Sequence, residues 1–406
     1  MKRGKALPAD VLERVRRLDS AAIAEWIVRE GAQTGGIEEL AAGFAEALAG
    51  AGLPIDRLTI GVPILLPHVA GMQVRWYRGR PVERIEFPAT AETLRAMEAS
   101  PVRAAYQDGA MTRCRIGPQR SAGDYPIVDD LRGDGFTDYV ALPVRFSDGT
   151  FKALSVATRA PGGFADSDVE ALARLTTNLA PVLEVRALRH LARSLLNVYV
   201  GPTAGERVLD GQIRRGEGTT IQAVIWFSDL RSSTDLSMTL DGPAHIALLN
   251  EFFGAVTSSV SDHGGEVLKY IGDAVLAIFP CRDLTGQNCS APHEADRAAR
   301  DALARIATIN RRAAEAGRPA IDIGIALHVG NAFFGNVGGE DRLDFTVIGP
   351  AVNLASRIES VSAESGRRLL VSQAFAEAVP ADYQPLGAFQ FKGIDGWQMV
   401  YASAAA

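Results

Sequence analysis

Two aspartates stand at the ends of apolar runs in the carboxyl-terminal half of the sequence. Asp229 closes the run IQAVIWFSD, and Asp273 follows Gly272 in EVLKYIGDAVLAIF, which alternates like a β-hairpin on either side of that turn. The two residues are far apart in sequence, so only the fold can bring them together. Two carboxylates that point to one position can bind Mg²⁺, which also binds phosphate oxygens. Two Mg²⁺ ions can hold the attacking and the leaving oxygen of an in-line displacement. Taken singly, an aspartate at a strand end is more often a cap or part of a solvated turn, and Gly-Asp is ordinary in a hairpin.

Polar residues follow the first aspartate directly. The segment LRSST opens a predicted helix, TDLSMTL, whose first N–H groups are suited to a polyphosphate. The polar members of this segment are Arg231, Ser232, Ser233 and Thr234.

A later predicted helix, VNLASRIESV, carries Asn353 and Arg357 one turn apart, on a different face from its apolar residues. An amide beside a guanidinium is suited to hold a ribose oxygen and a phosphate that gains charge in a transition state. By itself, such a pair is more often an ordinary part of a protein surface. Two strand-like runs, IDIGIALHVG and RLDFTVIG, precede this helix and would position it.

Four ordered motifs carry a resemblance to a known family. FSDLRSST, GGEVLKYIGDAVLAIF, GNVGGEDRLDFTVIGPAVNLASRIES and FKGI resemble, in order and spacing, the catalytic domain of the class III nucleotide cyclases, over about residues 219–402. The resemblance implies a palm-like, ferredoxin-like βαββαβ core. It also implies a head-to-tail dimer with the active site between the subunits, and cyclisation of a nucleoside triphosphate with release of pyrophosphate.

The resemblance assigns the metal and phosphate positions. It implies that Asp229, Asp273 and the backbone carbonyl of Leu230 bind two Mg²⁺ or Mn²⁺ ions per active site. Residues 231–234 match the phosphate loop, and Lys392 in FKG matches a triphosphate-binding lysine. The loop departs from the frequent family sequence Arg-Gly-Phe-Thr, because Ser232 and Ser233 replace the glycine and the phenylalanine.

The resemblance also assigns the nucleoside positions. Lys269 and Thr346 match the pair that reads the purine, and Asn353 and Arg357 match the ribose-positioning and transition-state residues. Pro350 replaces a usual polar residue before this last pair, but proline suits the first turn of a helix. No catalytic group is lost.

Hydrogen-bonding chemistry favours ATP as the substrate. A lysine ammonium has only donors, so Lys269 suits the N1 acceptor of adenine and faces an unpaired donor in guanine. Thr346 both donates and accepts, and therefore tolerates either base. We expect an adenylate cyclase, a phosphorus-oxygen lyase that forms 3′,5′-cyclic AMP. A threonine at position 346, where aspartate is commoner in the family, resembles the subclass that includes bicarbonate-responsive enzymes. Bicarbonate is therefore a candidate regulator. A catalytically silent nucleotide-binding or scaffolding homologue and a guanylate cyclase are the alternatives.

The amino-terminal region has the pattern of a separate α+β domain. Helical patterns are followed by short β-like runs, and Asp148-Gly149 predicts a hairpin between YVALPVRF and FKALSVAT. The region resembles, more loosely, a GAF-type sensory domain, but no ligand motif is evident. We therefore expect a sensory, dimerising or purely structural role.

The predicted organisation is a GAF-like regulatory domain over 1–165, a helical connector over 166–218 and the cyclase domain over 219–406. The connector's apolar stripe fits packing on its own domain or pairing with a second chain, and Pro181 is expected to kink or divide the helix. The stripe consists of Val169, Leu172, Leu175, Leu179 and Leu183. Because one chain holds every required group, we expect a C2 homodimer with two equivalent sites.

Bulk composition limits the remaining classes. The 406 residues are 47% hydrophobic and 22% charged, with a net charge of −6, so no global positive field attracts nucleic acid or anionic lipid. No apolar run approaches the roughly 20 residues of a membrane helix. Three cysteines give neither a disulfide framework nor a metal pair, and Cys281 and Cys289 are interpreted as buried or loop thiols. These features together predict a cytoplasmic protein.

Overall fold

The computed structural model describes residues 18–62, 66, 69–121, 123–281, 289–379 and 383–403. The chain divides into two compact units, Met1–Leu195 and Leu196–Ala406. Both units are mixtures of helices and strands, which confirms the predicted α+β class. The charged segment 1–17 lies outside the described residues. Within the described ranges, no helix is long and apolar enough to cross a membrane.

The amino-terminal unit is built on a six-stranded sheet in the order β3-β2-β1-β6-β5-β4, and every pairing in it is antiparallel. The Asp148-Gly149 hairpin is confirmed, since the two flanking strands pair across it. The strands are β1 Arg57–Val62, β2 Val69–Tyr77, β3 Glu83–Pro88, β4 Thr112–Arg115, β5 Asp138–Arg145 and β6 Phe151–Thr158. The helices are α1 Ser20–Arg29, α2 Ile37–Gly50, α3 Ala91–Glu98, α4 Val102–Asp108, α5 Pro126–Gly133 and α6 Asp166–Tyr199.

One face of this sheet forms the main core of the unit. Alternate residues of β1, among them Leu58 and Ile60, pack there with residues of α1, α2 and α6. All five members of the predicted stripe on α6 are buried in this core, so the stripe packs on its own unit. The helix continues through Pro181 as one element, so Pro181 does not divide it, and a kink there stays a prediction.

The carboxyl-terminal unit is built on an eight-stranded sheet. Seven strands follow the order β13-β14-β12-β10-β7-β9-β8, and β11 pairs with the carboxyl-terminal part of β10. Its strands are β7 Gly218–Leu230, β8 Glu266–Ile271, β9 Ala274–Pro280, β10 Ile323–Gly338, β11 Leu343–Ile348, β12 Leu369–Ser372, β13 Tyr383–Phe389 and β14 Gln398–Ser403. Its helices are α7 Pro202–Leu209, α8 Ser233–Thr239, α9 Gly242–Asp262, α10 Ala291–Glu315, α11 Pro350–Ser365 and α12 Gln373–Ala378.

Burial explains the central strands. The run from Ala223 to Trp226 in β7 is fully buried, because one face packs on α9 and α10 and the other on α11. Such two-sided burial is typical of an inner strand with continuous apolar residues. The predicted β8–β9 hairpin around Gly272 is confirmed, and Gly272 has the positive φ of 64° that a tight turn requires. Pro350 occupies the first turn of α11, as predicted.

The cysteines require a correction. Cys281 follows β9 and Cys289 precedes α10, and the two are joined as a disulfide with Cα atoms 5.3 Å apart. The interpretation of these residues as separate thiols is therefore wrong. The fold returns the chain to within disulfide reach after only eight residues, which their spacing alone did not indicate. The compartment inference drawn from unpaired cysteines loses its basis.

Candidate active site

The sheet brings the two predicted metal-binding aspartates to one edge. Asp229 is the penultimate residue of β7 and pairs in register with Ala274, the residue directly after Asp273 in the β8–β9 turn. Burial, followed by the negative charge of Asp273, raises the pKa of the Asp229 carboxyl. The N–H of Leu230 donates to Asp229 Oδ1 at 2.9 Å, and this bond opposes the rise. A carboxylate whose charge is disfavoured by a second carboxylate nearby fits a divalent cation, which would neutralise both.

The loop after Asp229 has an uncommon backbone. Ser232 has φ 54° and ψ 27°, so a non-glycine residue occupies the left-handed region at the position where the family often has glycine. The helix α8 begins at Ser233, and the Ser232 side chain makes no capping hydrogen bond to it. The Ser232 side chain therefore leaves the first N–H groups of α8 without a cap. A phosphate bound at this position would need such N–H groups as donors. Thr234 lies exposed in the same turn.

Arg231 lies in the loop, but its guanidinium points back into the unit. Nη2 donates to the carbonyls of Ser362 at 2.8 Å and Arg367 at 2.7 Å, and Nη1 contacts Asp322 Oδ2 at 3.1 Å. These contacts anchor the loop to the end of α11. A direct phosphate contact by Arg231 stays a prediction, and the observed role of its side chain is to hold the loop.

A cavity of about 620 Å³ adjoins this loop and Asp229. Glu359 on α11 also lines it and is buried, with its carboxylate accepting from the Ser362 hydroxyl at 3.1 Å. Burial and the charge of Asp229 raise the pKa of Glu359. Sequence reasoning missed this third acid, whose only signal was its place two residues after Arg357.

The predicted purine-reading residues lie on β8 and β11. The Lys269 Nζ donates to Asp344 Oδ2 at 2.6 Å, and the pair joins the two strands. Thr346, two residues after Asp344 on the same strand, is buried, and its Oγ1 has no hydrogen-bond partner in the described part of the chain. A shielded hydroxyl without a partner is costly unless a ligand satisfies it. Sequence reasoning also missed Asp344, although period-2 alternation places it on the same face as Thr346.

The predicted site residues do not all line one cavity. Lys269 lines a different cavity, of about 580 Å³, from the one that Asp229 lines. Asn353 and Arg357 are both exposed on α11. Lys392 is exposed in the turn between β13 and β14. Asp229 and Lys269 of one chain thus line two different cavities.

Comparison with known proteins identifies this unit. Residues 218–401 match the model of the adenylate and guanylate cyclase catalytic domain. An adenylate cyclase of Anabaena cylindrica is 28% identical over 213 residues, covering 51% of this chain and 41% of that protein. Adenylate cyclase 1 of Rhizobium meliloti (strain 1021) is 30% identical over 174 residues, covering 41% of this chain and 25% of that protein.

The solved structure of a bacterial light-regulated adenylyl cyclase is 28% identical, with a TM-score of 0.39, covering 46% of this chain and 91% of that one. The chain spans less than half the length of the two curated relatives. The GAF-like nature of the amino-terminal unit stays a prediction. The carboxyl-terminal unit belongs to the class III adenylate and guanylate cyclase catalytic domain family.

Proposed function

We propose that the chain is an adenylate cyclase, which converts ATP to 3′,5′-cyclic AMP and pyrophosphate. The observation that carries the choice of base is the Lys269–Asp344 pair beside the unpartnered hydroxyl of Thr346. Asp344 holds one ammonium hydrogen of Lys269 and leaves the others to donate to adenine N1. Thr346 Oγ1 then accepts from the adenine N6 amino group, which satisfies the buried oxygen. With guanine, Lys269 would face the N1–H donor.

The two aspartates at the end of β7 and in the β8–β9 turn would bind the metal ions. Asp229, Asp273 and the Leu230 carbonyl would bind two Mg²⁺ or Mn²⁺ ions, which when bound lower the pKa of the ribose 3′-hydroxyl and neutralise phosphoryl charge. The nearness of Asp273 to Asp229 supports this assignment: burial, followed by the negative charge of Asp273, raises the pKa of the Asp229 carboxyl. The uncapped start of α8 and Ser233 bind the polyphosphate. Lys392 is assigned to the triphosphate through the family pattern alone.

The ribose and the transition state are served by α11. Asn353 positions the ribose, and Arg357 donates to the α-phosphate as it gains negative charge. Both side chains are exposed, and Lys269 and Asp229 line different cavities, so we assign each active site to two subunits of a C2 dimer. Exposed apolar residues on β8 and β11 support an interface there: Tyr270, Ile271, Leu343 and Ile348.

The activity is tested with the purified chain, Mg²⁺ or Mn²⁺, and ATP or GTP, by measuring cyclic product with and without bicarbonate. We expect cyclic AMP to dominate, and a rise with bicarbonate would support the proposed regulator. Preferential cyclic GMP formation would contradict the assignment of Lys269. No turnover of either nucleotide would favour a silent nucleotide-binding homologue.

The shared site is tested by mixing two inactive variants. Asp229→Ala chains lack the metal edge, and Asn353→Ala chains lack the ribose contact, so a mixed dimer contains one complete site. We expect each heterodimer to recover up to about half of the turnover of a wild-type dimer, because one of its two sites is complete. If labelled chains form heterodimers without recovering activity, the two-subunit site is wrong. The amino-terminal unit is proposed to regulate this dimer.

A further inference from the structure

The second face of the amino-terminal sheet carries buried polar residues beside a smaller apolar cluster that includes Tyr139 and Ala157. In β1, Leu58 and Ile60 point to the core, while Arg57 and Thr59 point to the opposite face. The cross-strand partners of Arg57 and Thr59 share that face by register. They are Tyr77 and Arg75 on β2, and Ala157 and Ser155 on β6. Arg57, Thr59 and Ser155 are each only 5% exposed, so the polar side chains lie inside the unit.

Two arginines therefore lie close together on one face of adjacent strands. Thr59 is directly opposite Arg75, which makes Arg57 and Arg75 diagonal neighbours, within reach for long side chains. Burial, followed by the positive charge of Arg75, lowers the pKa of Arg57. The Arg57 guanidinium lies 5.8 Å from the centroid of the Tyr77 ring.

Neither arginine has a negative partner in the part of the chain that the structure describes. The Nε atoms of Arg57 and Arg75 are buried without a hydrogen-bond partner, and Arg75 Nη2 makes only a 3.3 Å contact with Gln73. Glu83 is opposite Arg75 in the β2–β3 ladder but forms no ion pair with it within the described residues. Asp134 attracts Arg57 less strongly than Arg75 repels it.

Other shielded arginines of this unit show what is missing. Arg113 pairs with Asp138 at 2.8 Å and with Asp166 at 2.6 Å, and Arg186 donates to the Ala32 carbonyl at 2.6 Å. Buried guanidinium groups are ordinarily paired in this way because an isolated charge is costly to desolvate. The buried hydroxyl of Thr59, beside Arg75 in the register, also has no partner among the residues that the structure describes. Three unsatisfied groups thus converge on one patch.

We propose that this face binds a small oxyanion, the carboxylate or phosphate group of a small molecule, through the guanidinium groups of Arg57 and Arg75 and the hydroxyl of Thr59. A planar guanidinium matches either oxyanion with two parallel N–H donors, and two such groups would neutralise a dianion. Tyr77 offers an aromatic wall for whatever the oxyanion is attached to. The site would give the amino-terminal unit a ligand that its sequence motifs did not indicate.

The test uses the full chain and two probes, inorganic phosphate and succinate, at constant ionic strength in chloride. Isothermal titration calorimetry and the melting temperature of the amino-terminal unit are measured for each probe. We expect saturable binding of at least one probe, with a rise in that melting temperature. The probe that binds more tightly identifies the oxyanion class.

Three variants test the residues. Arg57→Met should weaken the binding at least tenfold, and Thr59→Val, which keeps the shape of the side chain, should weaken it severalfold without unfolding the unit. Arg174→Met is the matched control, because Arg174 is exposed on α6, and it should bind like the wild type. Absence of saturable binding of both probes to the wild type would overturn the proposal. Equal binding by the wild type and Thr59→Val and Arg57→Met would overturn it as well.

Discussion

The Lys269–Asp344 ion pair gives the sharpest test of how the base is read. Replacing Asp344 with asparagine keeps the shape of the side chain but removes the charge that orients the Lys269 ammonium at 2.6 Å. The Lys269 side chain is 30% exposed and that of Asp344 is 57% exposed, so the pair is partly screened. We therefore take about 1 kcal/mol, between the values for exposed ion pairs and for hydrogen bonds to charged groups.

That free energy corresponds to a loss of about fivefold in kcat/KM for ATP. The free energy of unfolding should change by less than about 1 kcal/mol, because the pair is a surface contact between two strands that other residues already hold. The assay is steady-state cyclic AMP formation over a range of ATP concentrations, together with urea unfolding of each variant. Asp341→Asn is the matched control, since Asp341 is an exposed acid three residues earlier, and it should behave like the wild type.

A double-mutant cycle separates this explanation from a general loss of negative charge. Once Lys269→Met has removed the ammonium, Asp344→Asn should have no further effect on kcat/KM, because its only proposed action is through Lys269. A further fivefold loss in the Lys269→Met background would refute the reasoning. Unchanged kcat/KM in the single Asp344→Asn variant would refute it too.

Three further predictions follow from the same unit. Asp229→Asn should abolish cyclic AMP formation yet raise the melting temperature in EDTA, because the raised pKa of Asp229 means that its charged form destabilises the metal-free fold; a lower melting temperature would contradict this. Ser232→Val should lower the free energy of unfolding by about 1 kcal/mol while Ser232→Gly does not, since a β-branched residue fits φ 54° poorly, and equal urea midpoints would remove the argument for strain. Burial lowers the pKa of His328 to about 4 in the folded protein. As the pH falls below about 6.5, His328 therefore binds a proton in the unfolded protein before it does so in the folded protein. Stability should therefore fall between pH 6.5 and 4 by at most about 3 kcal/mol, and His328→Gln should remove that part of the pH dependence in urea titrations.

Local patterns predicted much of the catalytic unit. Asp229 at a strand end and Asp273 in a tight turn could be placed because alternation and glycine act over a few residues. The helix with Asn353 and Arg357 followed from its 3.6-residue period in the same way. These features depend little on the rest of the chain, and the structure has each of the elements where the sequence predicted it.

Features set by distant contacts could not be predicted. Asp344 became visible as a partner only when β8 and β11 approached each other, and Arg231 turned away from the loop because backbone carbonyls at the end of α11 were within reach. The Cys281–Cys289 bond likewise depends on how the end of β9 and the start of α10 are placed. The unpaired arginine Arg57 gave no signal because it occupies an ordinary alternating position in a strand.

The anchoring of Arg231 has a consequence for how two active sites would behave together. Its guanidinium ties the loop beside Asp229 to the end of α11, the same helix that presents Asn353 and Arg357. In the proposed dimer, that loop serves one active site and the helix serves the other. A rotation of one subunit that opened one active site would then move the loop and α11 together, and would therefore also open the second active site. The two sites would therefore gain and lose competence in concert, and a signal that reached either subunit would be felt at both.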